Sequence, residues 1–154
     1  MASPKDELRT RLLAIFREEA SDHLRSIAGE MARLDADERE DAALATVNGL
    51  FRTVHTLKGA ARSLSIRDIE QACHEIEDLC SALTGRRVAL DGQTRAILHE
   101  LTDDLAAITT QSLADIEAPS APSAPSPDTS PAPASSDGRR RRPARAVPEP
   151  RRRR

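Results

Sequence analysis

The chain has 154 residues, of which two are Phe and none Tyr or Trp, while charged residues reach 31%. So few aromatics argue against a β-sandwich or barrel, and an apolar set of mostly Ala, Leu and Ile suits helices. The net charge of −2 hides two unlike parts: residues 1–118 hold 14 Lys and Arg against 22 Asp and Glu, and residues 119–154 hold nine Arg against three acids, so each part is read separately.

Four helices are predicted. In the first, Leu8, Leu12, Phe16, Ala20, Leu24, Ile27, Met31 and Leu34 recur at helical spacing and mark the inward side. Ser3-Pro4 supplies its start. The acidic stretch DADERED links it to a second helix beginning near Asp41 or Ala42, with Leu44, Val47, Phe51, Val54, Leu57 or Lys58, Ala61 and Leu64 facing inward. Ser65 is the expected N-cap of the third helix, with Asp68 at the capping-box position. Ile66, Ile69, Cys73, Ile76, Cys80 and Leu83 form its apolar stripe, and Gly85 is the expected stop. Asp91 is the expected cap of the fourth helix, which carries Ile97, Leu98, Leu101, Leu105 and Ile108. Each helix has one apolar face and the connections are short, so an up-down antiparallel four-helix bundle over residues 1–117 is the economical all-α fold.

Beyond residue 117 the pattern stops. Nine of the ten prolines lie there, mixed with Ala and Ser and followed by arginine clusters. This composition predicts a disordered linker or tail over 118–154. Its arginines are not interleaved with aromatics that could stack on bases, so nucleic acid is not an expected partner. Cys73 and Cys80 are seven residues apart on one predicted helix, roughly 10 Å at ~1.5 Å per residue. That is too far for a disulfide, and both are read as small buried hydrophobes in a reducing compartment. No apolar run reads as a signal peptide or membrane span, so a cytoplasmic location is expected.

The chemistry centres on the segment TVHTLKGAARSL. Asn48, Phe51, Arg52, His55, Lys58, Gly59 and Arg62 share one stripe of the second helix, bordering its apolar face. His55 is thus supported by packing yet reachable from solvent, with three cationic side chains around it. Gly59 costs about 1 kcal/mol relative to Ala in a helix interior, but removes bulk one turn from the ring. Such a stripe suits an incoming phosphoryl group: neutral imidazole is a nucleophile, and Lys58 could neutralise phosphoryl oxygens. Taken alone, it also fits an ordinary cationic surface. The third helix adds weight. Counting from the turn at Ser65, His55 lies ten residues before it and His74 nine after, at nearly one height. Glu77, one turn beyond His74, could accept a hydrogen bond from one ring nitrogen of His55, fix its tautomer and leave the other nitrogen as nucleophile.

HTLKGAARSL resembles the phosphorylation motif of histidine-containing phosphotransfer (HPt) domains. The following His-x-x-Glu, His74 and Glu77, is similar to the N-terminal phosphotransfer domain of CheA-type chemotaxis histidine kinases. FREEASDHL, with Phe16, Glu19, Ala20 and Leu24, resembles the first-helix pattern of that group. The resemblance spans roughly residues 10–112. It implies His55 as phosphoacceptor, an assisting Lys58, a hydrogen-bonding network through Glu77 and His74, and docking of partners over Arg52, Gly59 and Arg62. It implies a histidine-kinase ATP-binding domain as donor and a response-regulator receiver domain as acceptor, with ATP and Mg²⁺ supplied by those partners. The departures are Ala60, where a second glycine is frequent, and Ser65, where a glycine is common; some CheA domains also have a fifth helix where the proline-rich segment begins here. By itself such a domain is a phosphoacceptor rather than a catalyst, although it can form part of a kinase.

Three other readings are weighed. A stand-alone relay protein between two receiver domains would carry the same motif. A metal site built from His55, His74, Glu77 and Cys73 is opposed by Lys58 and by the place of Cys73 in the apolar stripe. A purely structural bundle leaves Gly59 and the cationic stripe unexplained. His23 and His99 are assigned no role.

Overall fold

Ser3 and Pro4 open the first helix as the sequence predicts: the Asp6 carboxylate accepts the Ser3 backbone N–H at 3.1 Å. The structure, a computed structural model, describes residues 3–117. The expected tail at 118–154 lies outside the described residues. Helices α1 (Pro4–Ala36), α2 (Glu40–Ser63), α3 (Arg67–Thr84) and α4 (Gly92–Glu117) make up the fold, with no strand among the described residues. Each helix packs on its chain neighbours and α1 also on α4, which closes an antiparallel four-helix bundle. The interface between α2 and α3 is the most extensive and that between α1 and α4 the smallest. No described helix is long and apolar enough to cross a membrane.

The core follows the predicted faces most closely in α2 and α3. Val47, Val54, Leu57 and Ala61 of α2 are fully buried against Ile69, Cys73, Ile76 and Cys80 of α3. Both cysteines are free. Leu44, Phe51 and Leu64 sit at the margin rather than inside, while Ala43 and Leu50 take central positions that the sequence pattern left unmarked.

The ends of α1 and the face of α4 depart from expectation. Leu8 and Leu12 are exposed, at 58% and 44%, and not inward. The reason lies in the antiparallel partner. His99 pairs with Asp35 at 2.9 Å, Arg95 donates to the Leu34 carbonyl, and Arg17 pairs with Glu117. Residue 17 is therefore level with the end of the described part of α4, and the first turns of α1 run past that end, with Arg9 still bordering Ser112, Asp115 and Ile116. His99 thus has a structural role that sequence reasoning did not assign. On α4 the buried line runs through Thr94, Leu98, Thr102, Leu105 and Thr109, leaving Ile97 exposed at 39% and Leu101 and Ile108 half-buried. Threonine can occupy this line because each hydroxyl is satisfied locally: Thr102 donates to the Leu98 carbonyl at 2.9 Å and Thr109 to Leu105 at 2.7 Å.

One helix end also differs from prediction. Ser65 does not cap α3; it closes α2 in the left-handed region, with φ 59°. The Ile66 N–H returns to the Ala61 carbonyl at 3.0 Å and the Ser65 N–H to Arg62 at 3.0 Å, the bond pair of a Schellman motif. Ile66 then occupies the N-cap of α3. Glycine suits a φ > 0 position, which gives the serine here a conformational cost. Gly85 does stop α3, as its C-cap with φ −77°, and Arg86 takes the left-handed position at φ 54°. Asp91 does cap α4, accepting the Thr94 N–H at 2.9 Å; these local bonds pull its carboxyl below the usual range.

Candidate functional site

The α2–α3 turn sets the register of the site. A tight Schellman closure followed at once by α3 holds the two helices antiparallel, so residues at similar distances from Ser65, within about a turn, come to the same level. Glu77 is thereby delivered to His55: its Oε1 lies 2.8 Å from His55 Nδ1, while Lys58 pairs with Oε2. The Glu77 side chain is only 7% exposed, Lys58 is 20% exposed and His55 is 64% exposed. The carboxylate therefore sits in the wall of the bundle, sealed by Lys58, and the imidazole projects from it.

Each partner is placed for a physical reason. Glu77 borders the α3 stripe of Cys73, Ile76 and Cys80, so apolar neighbours fix its stem. Lys58 follows buried Leu57 and lays its methylenes along the bundle to reach Glu77. Phe51, one turn before His55, stacks on the ring with centroids 5.9 Å apart and planes 13° from parallel. Sequence reasoning put Phe51 on the right stripe but read it as a core residue. Its i−4 spacing from His55 was the available signal.

When the 2.8 Å hydrogen bond has the Glu77 carboxylate as acceptor, Nδ1 is the donor, and in the neutral imidazole Nε2 then carries the lone pair. A tautomer fixed from inside and a nucleophilic nitrogen held outside are what an exposed electrophile needs.

His74 does not join this group. It is exposed, and its Nε2 faces Asp78 of its own helix at 3.5 Å. It lies instead, with Lys58, Arg62, Arg67, Glu70 and Gln71, around an open concavity beside the site. Arg62 reaches Glu70 at 3.7 Å across the turn. Arg67 was not singled out from the sequence; its place just past the turn, opposite Arg62, was the signal. Arg52 is exposed on the same face of α2 as His55. Gly59 is exposed too, and a Cβ built on it would meet nothing within 4 Å. No packing inside the molecule demands a glycine there.

The thiols stand apart from this chemistry. Burial pushes Cys73 and Cys80 up to about 12, and the nearby Glu77 charge acts in the same direction on both. Neither is a nucleophile at neutral pH. Among the described residues no group of three His, Cys, Asp or Glu is placed to hold a metal ion.

The family model for the Hpt domain matches residues 11–111. The chain belongs to the Hpt domain family. It is 26% identical over 98 residues to the chemotaxis protein CheA of Listeria monocytogenes, covering 64% of this chain and 15% of that protein. To the gliding motility regulatory protein of Myxococcus xanthus it is 32% identical over 111 residues, 68% of this chain and 14% of the other. This Hpt chain thus spans about a seventh of the length of these relatives. Among solved structures, the crystal structure of the phosphorylated P1 domain of CheA3 in complex with CheY6 from R. sphaeroides is similar at a TM-score of 0.61 and 30% identity, covering 69% of this chain and 80% of that one.

Proposed function

We propose that this Hpt domain is a phosphocarrier in two-component signal transduction, with His55 as the phosphoacceptor and Nε2 as the accepting nitrogen. The observation that carries the reading is the His55–Glu77–Lys58 group: one ring nitrogen is engaged by a buried carboxylate and the ring is otherwise open to a partner. The family membership supports it, as does a similar P1 domain that has been crystallised phosphorylated and with CheY6.

In the first step the Nε2 lone pair attacks the γ-phosphorus of ATP held by a kinase ATP-binding domain, and the bond to the ADP oxygen breaks. Nδ1 keeps its proton, so the phosphorylated ring gains positive character, which the Glu77 carboxylate offsets at 2.8 Å. In the second step an aspartate oxygen of a receiver domain takes the phosphorus and Nε2 recovers its lone pair. Nucleotide and Mg²⁺ stay with the partners. Lys58, paired with Glu77 in the resting arrangement, helps to hold the carboxylate in orientation. Arg52 and Arg62 offer charge to an acidic partner, and Gly59 lets that partner approach the helix closely. Phosphoryl transfer depends mainly on such positioning and charge stabilisation.

The test is labelling with [γ-³²P]ATP and a CheA-type kinase core. His55→Gln, at an exposed position, is expected to keep its helical signal and lose all acid-labile phosphate. Label persisting at another residue overturns the site assignment. Labelling only by a phosphorylated receiver domain, and not by the kinase core, would instead make this a relay between two receivers.

A further inference from the structure

The Thr-bearing core line of α4 has a consequence on its flank. Because Thr94, Thr102 and Thr109 take inward positions, Leu101 and Ile108 are left half-buried beside α3. With Ala72 they floor an open groove between α3 and α4 with a volume of about 380 Å³. Its rim carries four carboxylates, Asp68 and Glu75 from α3 and Asp104 and Asp115 from α4. No Lys or Arg lines it, and none of the four is in an ion pair among the described residues. Two amides orient the rim: Gln71 donates to Glu75 at 3.1 Å and Gln111 to Asp115 at 2.8 Å.

From this groove we infer a second docking surface, distinct from the His55 face, whose occupant is a basic amphipathic helix of a partner protein. Apolar residues at i, i+3 and i+7 would sit on Leu101, Ile108 and Ala72, and flanking Lys or Arg would meet the carboxylates, the helix-in-groove mode of recognition. The length fits. Leu101 to Asp115 spans roughly 21 Å, about four helical turns. A second copy of the bundle is the wrong occupant by charge, because residues 1–118 carry eight more acids than bases. Acidic rim would then face acidic surface, which disfavours the contact. The groove shares no residue with the His55–Glu77–Lys58 group, although Gln71 borders both the groove and the concavity beside that site.

The test is amide NMR titration of the full chain with a synthetic basic amphipathic helix, leucines at i, i+3, i+7 and lysines between them. Shifts are expected to centre on Ala72, Leu101 and Ile108, and raising salt is expected to weaken binding. Asp104→Arg, on an exposed position, is expected to weaken it about tenfold, and Ile108→Asp more, with folding of each variant checked by its amide spectrum. An arginine-rich peptide without leucines is expected to bind more weakly and without the Leu101 and Ile108 shifts. The proposal is overturned if that peptide binds equally well, if Asp104→Arg changes nothing, or if the shifts spread evenly over the acidic surface.

Discussion

Two faces of the bundle each bury one carboxylate, and the two carboxylates could hardly differ more. Glu77, between α3 and α2, is 6% exposed; Glu30, between α1 and α2, is 7% exposed. Both oxygens of Glu77 meet charged or polarised donors, His55 and Lys58. Glu30 receives the Thr53 hydroxyl at 3.2 Å on Oε1, and Arg33 stands off at 3.9 Å; Oε2 has no hydrogen-bond partner among the described residues. Burial accordingly pushes the Glu30 carboxyl up from its ordinary value, against the pull of Thr53 and Arg33. Burial alone therefore makes no site. Glu77 differs because its hydrogen bond reaches an exposed imidazole, whereas Glu30 ends in the wall.

That contrast can be broken or sharpened by substitution. The largest effect is expected at Glu77→Ala, which should keep the fold and slow phosphorylation of His55 roughly 10- to 100-fold, as for other carboxylates that orient a functional histidine. Unchanged single-turnover labelling would put Glu77 on a par with Glu30. Next, Lys58→Met leaves Glu77 short of a partner and should lower stability by about 1–3 kcal/mol in urea titrations.

Glu30→Gln should act with the opposite sign. A folded-state value raised above the unfolded one means the native protein binds the proton more tightly. Stability is then lost as pH rises from the unfolded value through the raised folded value. The glutamine variant should flatten that decline in denaturation midpoints between acid and neutral pH. An equally steep decline would show that other groups cause it.

The smallest effects separate two glycines ten residues apart on α2. Gly59→Ala meets open space and should gain up to about 1 kcal/mol of helix stability while slowing partner-dependent transfer. Gly49→Ala would put its Cβ 3.2 Å from Glu30 Oε1 and should gain less. Equal gains would mean that Glu30 yields freely.

The legible parts of this molecule are those where a local rule and a tertiary partner agree. The stripe from Ile66 to Leu83 is buried throughout because α2 and α4 cover it. Leu8 and Leu12 obey the same spacing and are exposed, since periodicity names a face but not the length of the neighbour. The inward threonines of α4 were hidden because a polar residue reads as outward unless its hydroxyl is known to bond its own helix. Ser65 was misread for a related reason: serine is a good N-cap, and only the backbone reveals that α2 closes through it. Within the site, counting outward from the turn put His74 level with His55 and Glu77 within about a turn of it, and it is Glu77 that the structure pairs with His55. The turn of His74 towards Asp78 did not, because side-chain direction on an exposed helix is set by near neighbours of opposite charge.

The closure at Ser65 also bears on how the site comes into being. His55 and Glu77 are 22 residues apart, within a single helical hairpin. Their meeting requires only a short loop to close, whereas α1 must return to α4 from the far end of the domain. Loop entropy and contact order both favour the hairpin forming early. The His55–Glu77 pair thus belongs to a local hairpin contact, so its meeting carries a smaller loop-closure cost than the return of α1 to α4.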